Sequence, residues 1–381
     1  MFRKSYIALA TILALARLAA PAFAAAPTGE PGATLLFPYF EVDLDAADGL
    51  TTLLSVSNAR VAATNGTVLA HAVLWSDWGV PVFSWDIYLA PGDMVSYNLR
   101  DLVAYGHLPA TTPPIGTGAR CGATLAPRLE GEALFALQRQ LTGRPDPSTA
   151  LCSSEPRPDT TIATGSITID VVTDCAHDGI DDPFDAGYFT GTPALASANE
   201  RLIGDFFLVD PGADLAEGYS ALPLRMSEVS GGDSFWEGLE RPSLRRETLS
   251  TKWRLRFLEG GPFTARTSFF VYHRRGVPVS PAVCEEANPG STPVSVWSFD
   301  LYDPSGVRVA QDLRVPGQGR RTTARVALEL PEGVLSGTAH FRAFHAQGLG
   351  VPEIVDGQSV LFGAIEARGR FGVGIFGTPL D

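Results

Sequence analysis

The stretch VFSWDIYLAPGDMVSYNLR, residues 82–100, is followed later in the chain by a near copy, VWSFDLYDPSGVRVAQDLR, residues 296–314. Aligned without a gap, the two stretches share eight identical positions, where chance would give about one. Phe83, Trp85 and Ile87 alternate with polar residues in the first stretch, and the second stretch alternates in the same way. A period of two indicates a strand with one buried face. The turn with Pro and Gly that follows predicts a hairpin or short meander in each stretch.

Four further pairs of short segments repeat in the same order along the chain. They are TTLLSVSN (51–58) with TSFFVYHR (267–274), GSITIDVV (165–172) with GTAHFRAF (337–344), LIGDFFLVD (202–210) with LFGAIEAR (361–368), and GYSALPL (218–224) with GIFGTPL (374–380). Five matches in one order predict a duplicated domain. Short strands separated by turn signals favour an all-β fold of two tandem antiparallel β-sandwiches of the immunoglobulin-like kind, with a barrel or jelly roll as the alternative.

The matches also set the expected domain boundaries. The first copy is expected at residues 30–225 and the second at residues 250–381. Residues 226–249, which are polar and contain glycine, are interpreted as the linker between them. The first copy is longer because of an insertion at about residues 107–163, which is rich in Pro, Gly and Thr at its ends.

One helix is predicted inside this insertion. Leu134, Leu137 and Leu141 share one helical face, and Gly143 with Pro145 is expected to end the helix. A helical insertion on a sandwich is expected either to cap an edge strand or to form a lid over a partner-binding site.

The N-terminus has the pattern of a secretory signal peptide over residues 1–24. Arg3 and Lys4 precede a mostly apolar run, and Ala22-Phe23-Ala24 forms a cleavage site of small residues. We therefore expect export, to the periplasm or out of the cell, with an uncleaved anchor as the alternative. No later stretch is long and apolar enough to span a bilayer.

The charge balance limits the classes of partner. Lys plus Arg number 29 and Asp plus Glu number 42, so the formal net charge is −13. Nucleic acids and anionic membranes attract positive charge, so neither is expected as a partner. The sequence does not identify a partner, and it leaves a protein and a glycan open as classes.

Four cysteines are present in this chain with a predicted signal peptide, and an even count predicts two disulfides. Cys121 and Cys152 bracket the insertion, so they are expected to pair. Cys175 and Cys284 would then link the two copies, although nothing in the sequence places them within bonding distance.

The densest acidic cluster follows Cys175 in the segment DCAHDGIDDPFD. Its carboxylates belong to Asp174, Asp178, Asp181, Asp182 and Asp185. Oxygen ligands on a loop suit Ca²⁺, but the spacing departs from the EF-hand pattern. The segment is therefore either a calcium site or a solvated acidic loop, and calcium is the only cofactor considered.

Known catalytic motifs are missing from the sequence. There is no G-x-S-x-G elbow and no Walker loop. The sequence has no His-x3-His and no Cys-x2-Cys pair, and His340 and His345 would point to opposite faces of a regular strand. No catalytic or cofactor-binding residue is therefore predicted.

Two tryptophans are the candidates for a ligand-binding surface. Trp78 in WSDWGVP and Trp236 in SFWEG lie in turn-like contexts, where exposed rings would offer a stacking platform for sugars. The alternative is that both rings pack against the edge of the core. Trp85 and Trp297 lie on the apolar faces of predicted strands and are expected in the core.

The segments LLFPYFEVD (35–43), LAHAVLWSDWGVPVFSWDIYLAPGD (69–93), GSITIDVV and GDFFLVDP (204–211) resemble a group of predicted secreted bacterial proteins. The resemblance implies export and a bacterial origin, and it brings no activity or functional residue with it. The expected function is a non-catalytic structural, adhesive or binding role in the cell envelope or outside the cell. The alternatives are a carbohydrate-binding protein, or a secreted hydrolase with a site where polar groups of both copies meet.

Overall fold

The computed structural model describes most of the chain after the predicted signal peptide. The described residues are 29–59, 66–111, 128–157, 160–175, 182–227, 234–236, 238–274, 280–284, 294–314, 320–328, 330–346, 354–367 and 371–380. No α-helix within these ranges is long and apolar enough to cross a membrane.

The described residues fold mainly as β-strands. Strands of the first half are β1 (Thr34–Asp43), β2 (Thr51–Asn58), β3 (Val68–Ser76), β4 (Pro81–Leu89), β5 (Met94–Asn98), β6 (Leu151–Cys152), β7 (Ile162–Val172), β8 (Leu202–Asp210), β9 (Leu215–Ser220) and β10 (Leu222–Leu224). Strands of the second half are β11 (Lys252–Leu258), β12 (Arg266–His273), β13 (Ala282–Val283), β14 (Val294–Tyr302), β15 (Arg308–Arg314), β16 (Thr323–Val326), β17 (Ser336–Ala346), β18 (Ile354–Asp356), β19 (Ser359–Ala367), β20 (Phe371–Phe376) and β21 (Thr378–Pro379). The helices are α1 (Leu99–Val103) and α2 (Gly131–Thr142). The prediction of an all-β, antiparallel fold is confirmed.

Each half contributes two larger sheets. In the first half, one sheet has the order β10-β1-β7-β3-β4 and the other the order β5-β2-β8-β9. In the second half, the orders are β21-β11-β17-β14-β15, with β18 beside β17, and β16-β12-β19-β20. The second half thus repeats the strand order of the first half, strand for strand, once β6, β13 and β18 are set aside.

The repeated strand order corrects one prediction from the sequence. The opening match aligns β4 with β14, but β14 occupies the position that β3 has in the first half. Residues 82–100 do not form a hairpin, because β4 pairs with β3 while β5 pairs with β2 in the other sheet. Only β14 and β15 are hydrogen-bonded partners. Alternation of apolar residues specifies a strand and its buried face, but not the neighbouring strand.

The turn after β3 shows which residues of the two halves are equivalent. Gly79 N donates to the Ser76 carbonyl at 2.9 Å, and Gly306 N donates to the Asp303 carbonyl at 3.0 Å. In both turns the first residue's side-chain oxygen accepts amide hydrogens from residues two and four positions later. The turn after β14 therefore corresponds to the turn after β3.

Two glycines fix the same register in β7 and β17. A Cβ atom on Gly165 would lie 1.9 Å from the carbonyl oxygen of Trp75, and one on Gly337 would lie 2.0 Å from that of Tyr302. Each glycine also faces a phenylalanine of the neighbouring strand. Trp75 and Tyr302 therefore occupy equivalent positions, and residues five beyond each glycine do as well.

A single apolar core runs through both halves. Trp85 and Trp297 are buried, as expected from their strands. Tyr219 of β9 packs against Phe362 of β19, with ring centroids 4.9 Å apart, and its hydroxyl lies 3.2 Å from the Gly363 carbonyl. The two halves therefore share buried aromatic surface and are not joined only through a linker.

The predicted helix is confirmed as α2. Leu137 and Leu141 are buried on its inner face, and Gly143 ends it in the left-handed conformation with φ 72°. Gln138 Nε2 donates to the Val103 carbonyl at 3.1 Å, which holds α2 against α1. The short α1 was not predicted, since five residues are too few to show a helical period.

The disulfide prediction is wrong. Cys152 pairs with Cys284, with 5.1 Å between the Cα atoms. The two-stranded sheet of β6 and β13 aligns Cys152 with Ala282 and so brings Cys284 into reach. Cys175 is disulfide-bonded as well, and Cys121 lies outside the described residues. Distance along the chain was a poor guide because strand pairing, not sequence spacing, places these thiols.

Candidate functional site

The halves differ most on the outer faces of two sheets, β10-β1-β7-β3-β4 in the first half and β21-β11-β17-β14-β15 in the second. In the first half, Leu35 and Phe37 point toward the second sheet, where they lie against Gly204. Side chains alternate along a strand, so Thr34 and Leu36 point to the outer face. In the second half Leu255 lies against Gly363 in the same way, which places Arg254 on the outer face.

The outer face of the first half carries a buried polar row, formed by one residue from each of four adjacent strands. Thr34, Asp170, His71 and Asp86 are direct cross-strand neighbours in β1, β7, β3 and β4. Thr34 Oγ1 donates to Asp170 Oδ1, and His71 Nδ1 lies 2.7 Å from Asp86 Oδ1. All four are nearly inaccessible to solvent.

Residues from two loops cover this row. Tyr188 Oη donates to Asp170 Oδ2 at 2.9 Å, and the Arg246 guanidinium lies 3.6 Å from Asp170 Oδ1. Arg246 also donates to Thr34 Oγ1 and to the Leu244 and Ser197 carbonyls. Burial raises the pKa of Asp170, while Arg246 acts in the opposite direction. A buried ion pair with this many hydrogen bonds locks the loops onto the sheet.

Trp75 lies on the same outer face and is also covered. Its Nε1 donates to Thr168 Oγ1 at 2.9 Å. Phe184 and Trp236 pack against its ring, with centroids at 5.8 Å and 5.9 Å. We call this closed surface of Thr34, Trp75, Thr168 and Asp170 the covered face.

The prediction that Trp78 and Trp236 are exposed ligand-binding residues is wrong. Trp236 is only 3% exposed because it packs into the aromatic cluster over Trp75, with the Arg274 guanidinium 4.8 Å from its ring centre. Trp78 is 4% exposed, donates through Nε1 to Glu155 Oε2 and lies under Arg320. Turn-like sequence contexts did not reveal these tertiary contacts.

The predicted linker therefore has a structural role where it is described. Phe235, Trp236 and Arg246 are buried. Trp236 packs on Trp75 and Arg246 lies beside Asp170 of the first half, while Arg274 of the second half lies over the Phe235 ring. The Ser234 carbonyl accepts a hydrogen bond from Gln358 Nε2 of the second half. These residues of the segment 226–249 pack between the halves and do not form an exposed tether.

No described residue covers the equivalent outer face of the second half, which, together with residues of β20 and β21, lines a groove of about 720 Å³. We call it the open groove. Its lining residues are Arg254, Leu255, Arg256, Tyr302, Asp303, Pro304, Gly306, Thr338, His340, Ile375, Phe376 and Thr378. The alternation of β11, KWRLRFL, points Trp253, Leu255 and Phe257 inward and leaves the basic residues outside.

The open groove has positive charge and one pair of rings in contact. Tyr302 packs against His340 with ring centroids 4.4 Å apart and ring planes tilted by 37°. Burial, and then the neighbouring Arg254, lower the pKa of His340, so the arginines supply the charge. The carboxylate of Asp303 is engaged by the amides of its own turn. No ion pair with Arg254 or Arg256 is found within the described part of the chain.

Position by position, the two faces carry opposite chemistry. Asp170 lies five residues beyond Gly165, and Arg342 lies five residues beyond Gly337, so the two occupy the same place in their sheets. Leu36 pairs with Thr168, whereas Arg254 pairs with His340. At these two positions the first half has an acidic and an apolar side chain, Asp170 and Leu36, where the second half has the basic side chains of Arg342 and Arg254.

A second group of polar residues lies at the boundary between the halves. Arg325 of β16 lies 3.3 Å from Glu41 of β1 and 2.8 Å from Glu366 of β19. Tyr39 Oη donates to Glu41 Oε2 at 2.8 Å. Burial raises the pKa of Glu41, and Arg325 opposes the shift.

Glu217 of β9 belongs to the same group. Burial, followed by repulsion from Glu366, raises its pKa to about 7. Tyr219 Oη lies 3.2 Å from Glu217 Oε2. We call Tyr39, Glu41, Glu217, Tyr219, Arg325 and Glu366 the boundary cluster. It places three carboxylates around one guanidinium.

The predicted calcium loop is described only in part. Asp178 and Asp181 lie outside the described residues. Asp182 Oδ1 accepts the amide of Phe184, and Asp185 Oδ2 accepts the amide of Asp182. Asp174 accepts the amide of Cys175. Among the residues that can be described, no group of three or more potential metal ligands occurs, and calcium binding remains a prediction.

Comparison with known proteins gives no family assignment, since no family model, no curated protein and no solved structure matches this chain.

Proposed function

We propose that this protein is an exported, non-catalytic binding protein made of two immunoglobulin-like β-sandwich copies, and that it binds an anionic ligand in the open groove. The observation that carries the proposal is the pair of Arg254 and Arg256 beside the contacting rings of Tyr302 and His340. The equivalent face of the first half is closed by the chain itself.

The strand order supports the architectural part of the proposal. Immunoglobulin sandwiches have the order A-B-E-D in one sheet and C-F-G in the other. Strands β1, β2, β3, β7, β8 and β9 pair as B, C, D, E, F and G do, and β10 lies beside β1 where A would be. The corresponding strands of the second half pair in the same way. The turns after β3 and β14 have the same hydrogen bonds, and Gly165 and Gly337 make the same kind of close contact. Both observations support a duplication.

The electrostatics support an anionic ligand. The chain has a net charge of −13, so a local surface with Arg254, Arg256 and Arg342 contrasts with the rest of the molecule. Guanidinium groups bind carboxylates and phosphates through paired hydrogen bonds. Arg254 and Arg256, which form no ion pair among the described residues, lie beside an aromatic ring on a concave surface, and a few polar groups converging on such a surface are a feature of ligand sites.

A binding experiment with matched variants tests this proposal. The probes are polygalacturonate and polyglutamate as anions and dextran as a neutral polymer, measured by calorimetry. We expect the wild-type protein and Arg266→Ser, an exposed charge-loss control on β12, to bind an anionic probe. We expect Arg254→Ser with Arg256→Ser to weaken that binding by about tenfold or more. The proposal fails if no anion binds, or if the groove variant binds as well as the control.

The boundary cluster favours a hydrolase as the second candidate function. Glu41 and Glu217 of the first half and Glu366 of the second half meet around Arg325. A carboxyl group with a pKa of about 7 suits a general acid, as in glycoside hydrolysis. Burial of Glu41 and Glu217 speaks against access for a substrate.

Assays on a panel of aryl glycosides and esters test the second candidate. A hydrolase requires turnover that Glu217→Gln lowers by about a hundredfold or more. Turnover of this kind would overturn the non-catalytic proposal, and a lack of turnover by the wild-type protein would leave it standing.

A further inference from the structure

We propose that the open groove receives an extended polypeptide segment of a partner protein, and that this segment carries carboxylate and aromatic side chains. The inference rests on the proposed function and names the class of its ligand. It is drawn from the covered face, where the same sheet surface already holds polypeptide.

The covered face shows what packs well on this sheet surface. Two loop segments lie across it and contribute Phe184, Tyr188, Trp236 and Arg246. Aromatic rings cover the aromatic residue of β3, and one charged side chain pairs with the charge of β7. A polypeptide thus satisfies both the apolar and the polar parts of the surface.

The open groove and the sheet surface beside it carry corresponding residues with the charge reversed. Tyr302, which lines the groove, occupies the position of Trp75, and Arg342, on the same outer face two residues beyond the groove residue His340, occupies the position of Asp170. Arg246 complements Asp170 on the covered face. The complement of Arg342 and Arg254 is therefore a carboxylate, and the complement of Tyr302 is an aromatic or apolar side chain.

The second half has a shorter segment at the position of the loop that covers the outer face in the first half. In the first half, Phe184, Tyr188 and Phe189 come from residues 173–201, between β7 and β8. The corresponding segment between β17 and β19 is residues 347–358, less than half as long. Part of it, β18, is paired with the end of β17. In our proposal, a segment from another molecule covers the outer face of the second half, as the longer loop covers that of the first half.

Labelled peptides added to the full mature protein test the inference by fluorescence anisotropy. One short peptide alternates Asp with Phe and Tyr. A second replaces each Asp by Asn, and a third replaces each ring by Ala. We expect the first peptide to bind at least about tenfold more tightly than either of the others. We also expect Arg254→Ser with Arg342→Ser to remove this preference, while Arg266→Ser keeps it.

Other outcomes separate this inference from the proposed function. If polygalacturonate binds in the groove and the acidic aromatic peptide does not, the inference fails and the proposed function stands. If neither binds, both fail. If sedimentation shows self-association of the wild-type protein that the variant Arg254→Ser with Arg342→Ser loses, the occupant is a second copy of this chain, and the partner-protein inference is wrong.

Discussion

The covered face of the first half and the open groove of the second half are the same surface of the same strand order, with different outcomes. Asp170 on the covered face lies under Tyr188 and Arg246, while Arg342 at the equivalent position is exposed to solvent. The inward residues of both sheets are apolar and buried. Packing of one sheet on another requires apolar residues on the faces that meet, but it leaves the outer faces free to be covered by loops or to stay open for a ligand.

The largest effect is expected on the covered face. Arg246→Ala leaves Asp170 buried without its cation, and breaking a buried pair in this way costs about 3–5 kcal/mol. Urea unfolding at neutral pH measures the loss. Arg342→Ala is the matched control on the open face, where we expect a change within about ±0.5 kcal/mol. Equal losses from the two variants would contradict the difference between the faces.

The glycine pair tests whether the two faces are equivalent. Gly165→Ala and Gly337→Ala each place a methyl group against a carbonyl oxygen, at 1.9 Å and 2.0 Å before any relaxation. Forcing an extra methyl into packed structure typically costs about 1–3 kcal/mol, so similar losses are expected. Gly212→Ala, which meets only ordinary contacts, is the control. A loss at only one of the two strand positions would break the proposed equivalence.

Glu217 of the boundary cluster makes the stability of the protein depend on pH, and the direction of this dependence follows from its pKa. The folded-state pKa of Glu217 is about 7, raised from its ordinary value of 4.5. The folded protein therefore holds this proton more tightly than the unfolded chain does. Its contribution to stability is complete below pH 4.5 and is lost as the pH rises through about 7.

Glu217→Gln should remove this contribution, so the difference in the free energy of unfolding between wild type and variant should change between these pH values. Urea unfolding across the pH range measures it, with Glu332→Gln at an exposed site as the control. A difference that stays constant with pH would mean that Glu217 does not titrate in this range.

The smallest effect is expected in the open groove. Arg254→Ser with Arg256→Ser removes two exposed side chains, and substitutions of this kind usually change stability by less than about 0.5 kcal/mol each. Thermal unfolding checks the value. A larger loss would show that the arginines hold the fold together, and the groove would then be a structural feature and not a free surface.

The sequence predicted the parts of the fold that depend on local pattern. The helix α2 follows from the spacing of Leu134, Leu137 and Leu141 with Gly143 at its end. Period-two alternation identified β4, β14 and the buried Trp85 and Trp297. The alternating basic residues of β11 are also visible in the sequence, and they were the one available signal for the open groove.

Contacts between segments that are far apart in the chain could not be predicted from the sequence. The sequence alone determined an all-β chain, because burial of one strand face leaves a pattern in successive residues. Only the tertiary structure decided that β14 stands in the place of β3, that Cys152 bonds Cys284, that Trp236 is buried, and that one outer face is closed while the other is open. These outcomes depend on contacts between strands and loops that are far apart in the chain. The spacing of residues in the sequence does not specify such contacts.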